Sequence, residues 1–263
     1  MVDSVTRFAG FAAGYDRVRP QPPAHLPAVL SAWAGTPHPR VVDLGAGTGL
    51  GSSVWSGMAA GVIAVEPSPD MRAVAEQRLA ALPDADSFTV VAAVAEETGL
   101  PAGQADLVVA SMAFHWFDQD RALPEIVRLL RPGGVFAAID HDFPPAVHAE
   151  VDAAYAEFDR RRRGLDVARG LRPPYQHRSG HLAALAGCGL FRHTREICLD
   201  SVDSGDGARL VEIATNKSGT MALLRAGVTE QEMGLAGLRE TATRLLPEPT
   251  TWWWTFRVCL AVT

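Results

Sequence analysis

The chain has 263 residues, 48% of them hydrophobic and 21% charged, which is typical of a soluble globular protein with a sizeable core. Its formal net charge of −6 argues against a general binder of nucleic acid or membrane surfaces, and no apolar run is long enough to span a bilayer. Three dispersed cysteines suit free thiols, and the near-exclusive use of arginine over lysine suggests a GC-rich bacterial genome. We therefore expect a cytoplasmic protein without a nucleic-acid or membrane partner.

Strands and helices are predicted to alternate through the first half of the chain. Short apolar runs predict strands at residues 40–44, 61–66, 87–93, 105–112 and 135–140. Helices are predicted between them, including one that continues to about residue 60 and one that ends at the Leu-Leu-Arg-Pro-Gly-Gly stretch. Nearly continuous apolar strands with helical connections indicate a doubly wound α/β sheet, mostly parallel and covered on both faces.

The second half is predicted to add helices and two late strands. The strands are expected at residues 191–200 and 252–263, with about 50 mostly helical residues between them, which is typical of a functional insertion. We expect one domain over 1–263. Within it, 1–39 is predicted to form an N-terminal helical cap, 40–140 a ligand-binding core, and 141–263 the lid segments and last two strands.

The first strand leads into a turn that contains Gly45, Gly47 and Gly49. Glycine leaves room for backbone N–H groups to approach a ligand closely. A triphosphate-binding loop would need a Gly-Lys-Ser/Thr ending, and a dinucleotide site would need a third glycine where Leu50 stands. Asp43, two residues before the first glycine, is unfavourable beside a pyrophosphate but suits a ligand with an ammonium group.

Glu66 ends the second predicted strand, where a carboxylate can accept both hydroxyls of a ribose. This feature is shared by NAD enzymes and by other nucleoside-binding enzymes. Together with Asp43, it describes a nucleoside attached to an amino-acid zwitterion, which is S-adenosylmethionine (SAM). A purely structural role for Asp43, as a brace of the glycine turn, remains open.

Four stretches carry a resemblance to a known family: VVDLGAGTGLGS, IAVEPSPDM, ADLVVASMAFHWFD and LLRPGGVFAAID. In this order they resemble the successive motifs of class I SAM-dependent methyltransferases of the small-molecule type (methyltransferase type 11), which includes trans-aconitate methyltransferase-like enzymes. The resemblance covers about residues 8 to 140. It implies a Rossmann-like, mostly parallel seven-stranded sheet with the last strand antiparallel and with helical lid additions. It also implies SAM as cofactor and S-adenosylhomocysteine as product.

The resemblance further implies which residues contact the cofactor. They are Tyr15, Arg19, Asp43, Gly45, Ala46, Gly47, Gly49, Glu66, Pro67, Ser68, Ala95, Glu96 and Ser111. The glycines and Asp43 are expected at the methionine part, Glu66 at the ribose, and Pro67 and Ser68 near the adenine. Tyr15 and Arg19 are expected to close over the SAM carboxylate. Many relatives have Gly-Asp before the Ala-Glu pair, whereas this chain has Ala-Val, so the adenine amine contact falls to backbone or Glu96.

The acceptor is expected at the carboxyl ends of the parallel strands. His115 and His141 follow the fourth and fifth strands and are suited to take a proton near neutral pH, although His115 as a structural contact near SAM remains open. Trp116, Tyr175 and Trp253 are predicted to contact the acceptor. Because strand side chains alternate, one or two of the three consecutive tryptophans at 252–254 can face a pocket, and sealing the core is an equal alternative.

We therefore predict methyl transfer by in-line displacement to a small organic acceptor, with a secondary metabolite or a carboxylate as the leading classes. A monomer or homodimer is expected. His177 and His181 have the spacing of metal ligands, but the sequence offers them no evident carboxylate or cysteine partner. No metal is therefore expected. The arginine run at 160–163 is predicted to be a solvated helix end. Two alternatives remain: a SAM-fold protein with another activity such as cyclisation, and an NAD-dependent oxidoreductase.

Overall fold

The computed structural model of the protein describes residues 19–171 and 178–263. Its strands are β1 (Arg40–Leu44), β2 (Gly61–Val65), β3 (Phe88–Val91), β4 (Ala105–Ser111), β5 (Leu130–His141), β6 (His193–Gly205) and β7 (Thr250–Val262). Its helices are α1 (Leu26–Ala34), α2 (Leu50–Ser53), α3 (Pro69–Ala80), α4 (Gln119–Leu129), α5 (Ala149–Ala168), α6 (His181–Gly187), α7 (Gly207–Thr215), α8 (Ser218–Arg225), α9 (Glu230–Met233) and α10 (Leu235–Leu245). None of the helices in these ranges is both long and apolar enough to cross a membrane.

The strands form one seven-stranded sheet in the order β3-β2-β1-β4-β5-β7-β6. The pairs β1/β2, β1/β4, β2/β3 and β4/β5 are parallel, and β7 runs antiparallel to β5. The predicted fold class, with its antiparallel last strand, is therefore confirmed. The order reverses beside β1, which places the carboxyl ends of β1, β2 and β4 where ligands bind in open α/β sheets.

The centre of the sheet is apolar because its strands are covered on both faces. Most residues of β4 and β5 are buried, including Phe136 at 0% exposure. Helix α4 packs one face with Leu123, Ile126 and Leu129, which recur at helical spacing and join the same core cluster. This core fixes the strand ends that carry the candidate site.

Two predicted boundaries are wrong. The helix after the glycine turn is only the four residues of α2, and turns follow it over residues 54–58, where Gly57 has φ of +69°. The helix before the fifth strand ends at Leu129, within the predicted Leu-Leu-Arg-Pro-Gly-Gly stretch, but β5 begins at once with Leu130 and not at residue 135. Pro132 lacks a backbone N–H and Gly133 has φ of +75°, so this stretch cannot continue the helix.

The chain divides into two compact units. The sheet unit comprises the described residues within 22–141, 175–199 and 256–263, and the helical unit comprises those within 19–21, 142–174 and 200–255. The helical unit contains α5, which precedes β6, and α7–α10, which form the expected insertion between the last two strands. The expectation of a single domain stays a prediction.

Within the helical unit, the arginine run differs in part from the prediction of a solvated helix end. Arg160, Arg161 and Arg163 are exposed, but Arg162 is buried. Its guanidinium Nη1 donates to Asp166 at 2.7 Å, and its Nη2 donates to Asp159 at 2.9 Å. A buried charge needs such partners, so Arg162 belongs to the interior of the unit and not to its surface.

Candidate functional site

The glycine turn after β1 has a backbone that only glycine adopts readily. Gly45, Gly47 and Gly49 have φ of +68°, +58° and +76°. A Cβ on Gly45 would lie 2.7 Å from the Cβ of Ala113, so this position has no room for a side chain. A Cβ on Gly47 would meet nothing within 4 Å. The turn is therefore packed tightly on its Gly45 side and open at Gly47, as a turn that approaches a ligand requires.

Asp43 lies within β1, just before the turn, and is 0% exposed. Its Oδ2 accepts a hydrogen bond from Ser52 Oγ at 2.6 Å, so the expected brace of the turn is present. Its Oδ1 is buried without a hydrogen-bond partner. Burial raises the pKa of the carboxyl to about 7, with a smaller contribution from the charge of Glu66 and in opposition to the Ser52 bond. An ammonium group that reached Oδ1 would satisfy this oxygen and stabilise the ionised form.

Glu66 follows β2, is only 7% exposed, and has both carboxylate oxygens held by backbone hydrogen bonds. Its Oε2 accepts a hydrogen bond from the backbone N–H of Gly47 at 2.9 Å, and its Oε1 accepts one from Ser68 at 2.8 Å. Burial raises the pKa of this carboxyl, while both backbone bonds lower it. Each oxygen keeps a further acceptor position, so the fixed carboxylate can still receive two hydroxyl groups.

The other predicted cofactor residues divide between the two units. Glu96 accepts a hydrogen bond from the backbone N–H of Asp118 at 2.8 Å, which ties its loop to the start of α4. Ser111, at the end of β4, lies beside the turn, since a Cβ on Gly51 would be 3.1 Å from its Cβ. Ala46, Ser68 and Ala95 are buried and Pro67 is half-buried. In the helical unit, the guanidinium of Arg19 lies 5.4 Å from the centre of the Phe143 ring. Tyr15 lies outside the described residues.

His115 joins a buried cluster that the sequence did not predict. It lies in a short 3₁₀ turn after β4, its Nδ1 is 3.4 Å from Oδ1 of Asp140 near the end of β5, and His181 Nδ1 is 3.0 Å from Oδ2 of the same carboxylate. The expectation that His181 has no carboxylate partner, from which the absence of a metal is predicted, is therefore wrong. In the described ranges, His115, Asp140 and His181 are the one group of potential metal ligands whose ligand atoms all lie within 4.8 Å of one another. The absence of a metal stays a prediction.

Asp140 presents a separate carboxylate oxygen to each histidine of the cluster. The rings of His115 and His181 are nearly parallel, with 13° between their planes and 6.2 Å between their centres, which is too far for face-to-face contact.

His141, the other predicted base, is also buried but lies on the opposite face of β5 from Asp140. Its ring contacts Phe256 at a centre-to-centre distance of 5.5 Å, and its backbone N–H donates to Met112 Sδ at 3.3 Å. Met112 has φ of +55°, an unusual backbone conformation for a residue other than glycine, and it follows β4 directly. The structure brings His115 next to the carboxylate of Asp140.

The three consecutive tryptophans alternate as a strand requires. Trp252 and Trp254 are 0% and 1% exposed, and Trp253 is 53% exposed. Two of them therefore seal the interior, while Trp253 is the one that faces outward, in the helical unit. Trp116 is half-buried, with its ring 5.3 Å from that of His115. Tyr175 lies outside the described residues.

The strand order, the glycine turn and the acid at the end of β2 together define a Rossmann-like class I methyltransferase fold. The sequence agrees, because residues 42–138 match the profile of the methyltransferase domain family. The matched stretch is less than half of the chain, and over that stretch the chain is similar to methyltransferases.

Individual proteins that are similar to this chain also carry methyltransferase names. An uncharacterized methyltransferase of Mycobacterium tuberculosis is 38% identical over 133 residues, which cover 50% of this chain and 51% of the relative. The malonyl-[acyl-carrier protein] O-methyltransferase of Methylococcus capsulatus is 35% identical over 161 residues, 58% of this chain and 55% of the relative. The chain thus spans about half the length of these curated relatives. A solved structure from Anaeromyxobacter dehalogenans, described as "a Putative Type II Methyltransferase", is 27% identical, with a TM-score of 0.67 over 93% of this chain and 97% of that one.

Proposed function

We propose that the protein transfers a methyl group from SAM to a small organic acceptor and releases S-adenosylhomocysteine. A secondary metabolite or a carboxylate remains the leading acceptor class, and the malonyl-[acyl-carrier protein] O-methyltransferase among the relatives supports a carboxylate. We also propose that the protein is bacterial and cytoplasmic, and that it is a monomer or a homodimer.

The observation that carries the proposal is the pair of acids beside the glycine turn. Asp43 offers a buried oxygen without a partner, which suits the ammonium of a methionine group. Glu66 offers a carboxylate fixed by two backbone N–H groups, which suits the two ribose hydroxyls. A pyrophosphate at the turn would instead lie beside the buried carboxyl of Asp43, so a dinucleotide fits poorly.

The remaining candidate residues extend this site. Gly45, Ala46, Gly47 and Gly49 would approach the methionine part, and Pro67, Ser68, Ala95, Glu96 and Ser111 would line the nucleoside. Tyr15 and Arg19 would bind the SAM carboxylate. Trp116, Tyr175 and Trp253 would contact the acceptor.

Bound SAM supplies a methyl group on a positively charged sulfur, so the leaving group needs no further activation. The protein aligns the acceptor with that methyl group and keeps water away from it. An acceptor hydroxyl or amine must also lose its proton, and His115 is the candidate general base, with His141 as the second candidate. A carboxylate acceptor is already ionised at neutral pH and needs no base.

Binding of SAM, S-adenosylhomocysteine and NADH to the wild-type protein and to Glu66→Ala, measured by isothermal titration calorimetry, tests the proposal. We expect the two sulfur ligands to bind, and the substitution to weaken them about 10- to 100-fold, because hydrogen bonds to a charged group contribute roughly 1.5–3 kcal/mol. Glu97→Ala is the matched control, since Glu97 is an exposed acid in the same sheet unit, and it should bind both ligands like the wild type.

Binding of NADH without SAM would refute the proposal and restore the oxidoreductase alternative. If SAM binds, incubation of the protein with methyl-labelled SAM and pooled carboxylates, phenols and amines distinguishes methyl transfer from other activities. Transfer of label to an acceptor supports the proposal. A product that forms without label transfer would support a non-methylating activity such as cyclisation.

A further inference from the structure

The carboxylate of Asp140 is shared between two imidazoles that come from different parts of the sheet unit. Its Oδ2 lies 3.0 Å from Nδ1 of His181, the first residue of α6, and its Oδ1 lies 3.4 Å from Nδ1 of His115. All three side chains are buried. The shorter contact has the length of a good hydrogen bond, whereas the longer one is a close approach of two buried atoms that does not have hydrogen-bond geometry.

His181 is oriented through its Nδ1 atom. Its Nε2 atom is buried and has no hydrogen-bond partner among the described residues. Its ring also contacts the edge of Phe114, at 5.0 Å between centres and 71° between planes. Neutral imidazole carries one N–H, and because Nδ1 faces a carboxylate, the proton belongs on Nδ1. His181 therefore donates to Asp140 and fixes the rotation of its carboxylate.

The same logic applies to the tautomer of His115. A proton on Nδ1 of His115 would lie toward Oδ1 of Asp140, 3.4 Å away, so the carboxylate favours the tautomer that leaves Nε2 as the proton acceptor. The carboxylate also stabilises the imidazolium that forms when Nε2 takes a proton. Ionisable groups near Asp140 on the adjacent strands include Arg257 and Cys259 on β7 and Glu196 on β6. Arg257 pairs with Glu196 at 3.5 Å, and burial, followed by Glu196 and Asp140, raises the pKa of Cys259 to about 12.

We propose that His181 is a positioning residue that acts through Asp140 to hold His115 in the Nδ1–H tautomer, so that Nε2 of His115 is the atom that accepts the acceptor's proton. The role of His115 as base rests on the proposed function. The tautomer itself does not, and it can be measured without an acceptor.

The test is a nuclear magnetic resonance measurement of the His115 ring nitrogens in protein labelled at histidine, free and with S-adenosylhomocysteine. His115→Asn identifies the His115 signals by their loss. His181→Asn keeps an N–H donor close to the position of Nδ1, His181→Gln moves the donor to the position of Nε2, and His181→Leu fills the space without a donor. Thermal unfolding of each variant reports on its fold.

We expect the wild type and His181→Asn to hold His115 in the Nδ1–H form. His181→Leu and His181→Gln should shift it toward the Nε2–H form that histidine prefers in water. Asp140→Asn should likewise release His115 from the Nδ1–H form, because the carboxylate that favours this tautomer is lost. If His181→Leu does not fold, the comparison of His181→Asn with His181→Gln decides the same question.

Three results would overturn the proposal: an Nε2–H tautomer in the wild type, an unchanged tautomer in both His181→Leu and His181→Gln, or stoichiometric Zn²⁺ binding that His181→Leu abolishes. The last result would make the cluster a metal site. Failure of S-adenosylhomocysteine to bind would count against the proposed function alone, since the tautomer of the free protein remains measurable.

Discussion

Replacing Asp43 by asparagine should stabilise the ligand-free protein at alkaline pH. In the folded protein, burial raises the pKa of Asp43 to about 7, compared with the ordinary value of 3.8 that applies in the unfolded chain. Between these two values the folded state holds a proton that the unfolded state has lost. Stability therefore falls as the pH rises through this window, and the carboxyl opposes folding once both states are ionised.

The magnitude follows from the difference between the two pKa values. About three pH units at 1.36 kcal/mol each give a destabilisation of about 4 kcal/mol above pH 7. About 3 kcal/mol of this develops between pH 5 and pH 8. Asparagine keeps an acceptor for Ser52, but its amide N–H₂ takes the place of Oδ1, where no partner lies. Burying this unsatisfied donor costs about 1–3 kcal/mol of stability. That penalty is the same at both pH values and cancels in the comparison.

Urea unfolding of the wild type and Asp43→Asn at pH 5 and pH 8 measures this difference. We expect the variant to gain about 3 kcal/mol on the wild type when the pH is raised from 5 to 8. Asp106→Asn is the control: despite partial burial, hydrogen bonds from Arg131 and the Arg40 backbone hold the pKa of Asp106 below its ordinary value, so its effect should not change over this range. Parallel stability curves for Asp43→Asn and the wild type would refute the reasoning, because Asp43 would then not titrate near pH 7.

Two further substitutions have matched controls within the chain. Gly45→Ala should destabilise the protein by about 2 kcal/mol more than Gly35→Ala, because both glycines have φ of +68° but the new Cβ at Gly45 would lie 2.7 Å from Ala113, whereas nothing lies within 4 Å at Gly35. Equal unfolding midpoints in urea would contradict the close approach. Trp254→Leu should destabilise by about 2–4 kcal/mol, and Trp253→Leu by less than about 1 kcal/mol, since Trp254 is buried and Trp253 is 53% exposed. Equal losses in thermal unfolding would contradict the alternation.

The sheet could be predicted from the sequence because its buried strands are short apolar runs with glycines and acids at their ends. β1 has the predicted bounds, and β2 differs from them by one residue. The turn chemistry of Asp43 and Glu66 was also readable, because it depends on residues close together in sequence. These local patterns fix the part of the site that would bind the cofactor.

What the sequence did not predict depends on contacts between distant residues. The neighbours of His181 are 41 and 66 positions away along the chain, so spacing within its own segment pointed to His177 instead. Arg162 was expected in solvent because its run of arginines lies on a helix, but its position on that helix turns it toward Asp159 and Asp166. His181 and Arg162 are both polar side chains whose burial is favourable only when the tertiary fold supplies partners for them.

The insertion between β6 and β7 begins and ends at one place. The backbone N–H of Gly207 donates to the carbonyl of Leu246 at 2.9 Å, and Gly205 packs directly against Trp252. Because its two ends are joined in this way, the segment forms a closed loop, and the entropic cost of closing such a loop depends only weakly on its length. The intervening helices can therefore be lengthened, shortened or exchanged without altering the strands at the two ends of the insertion.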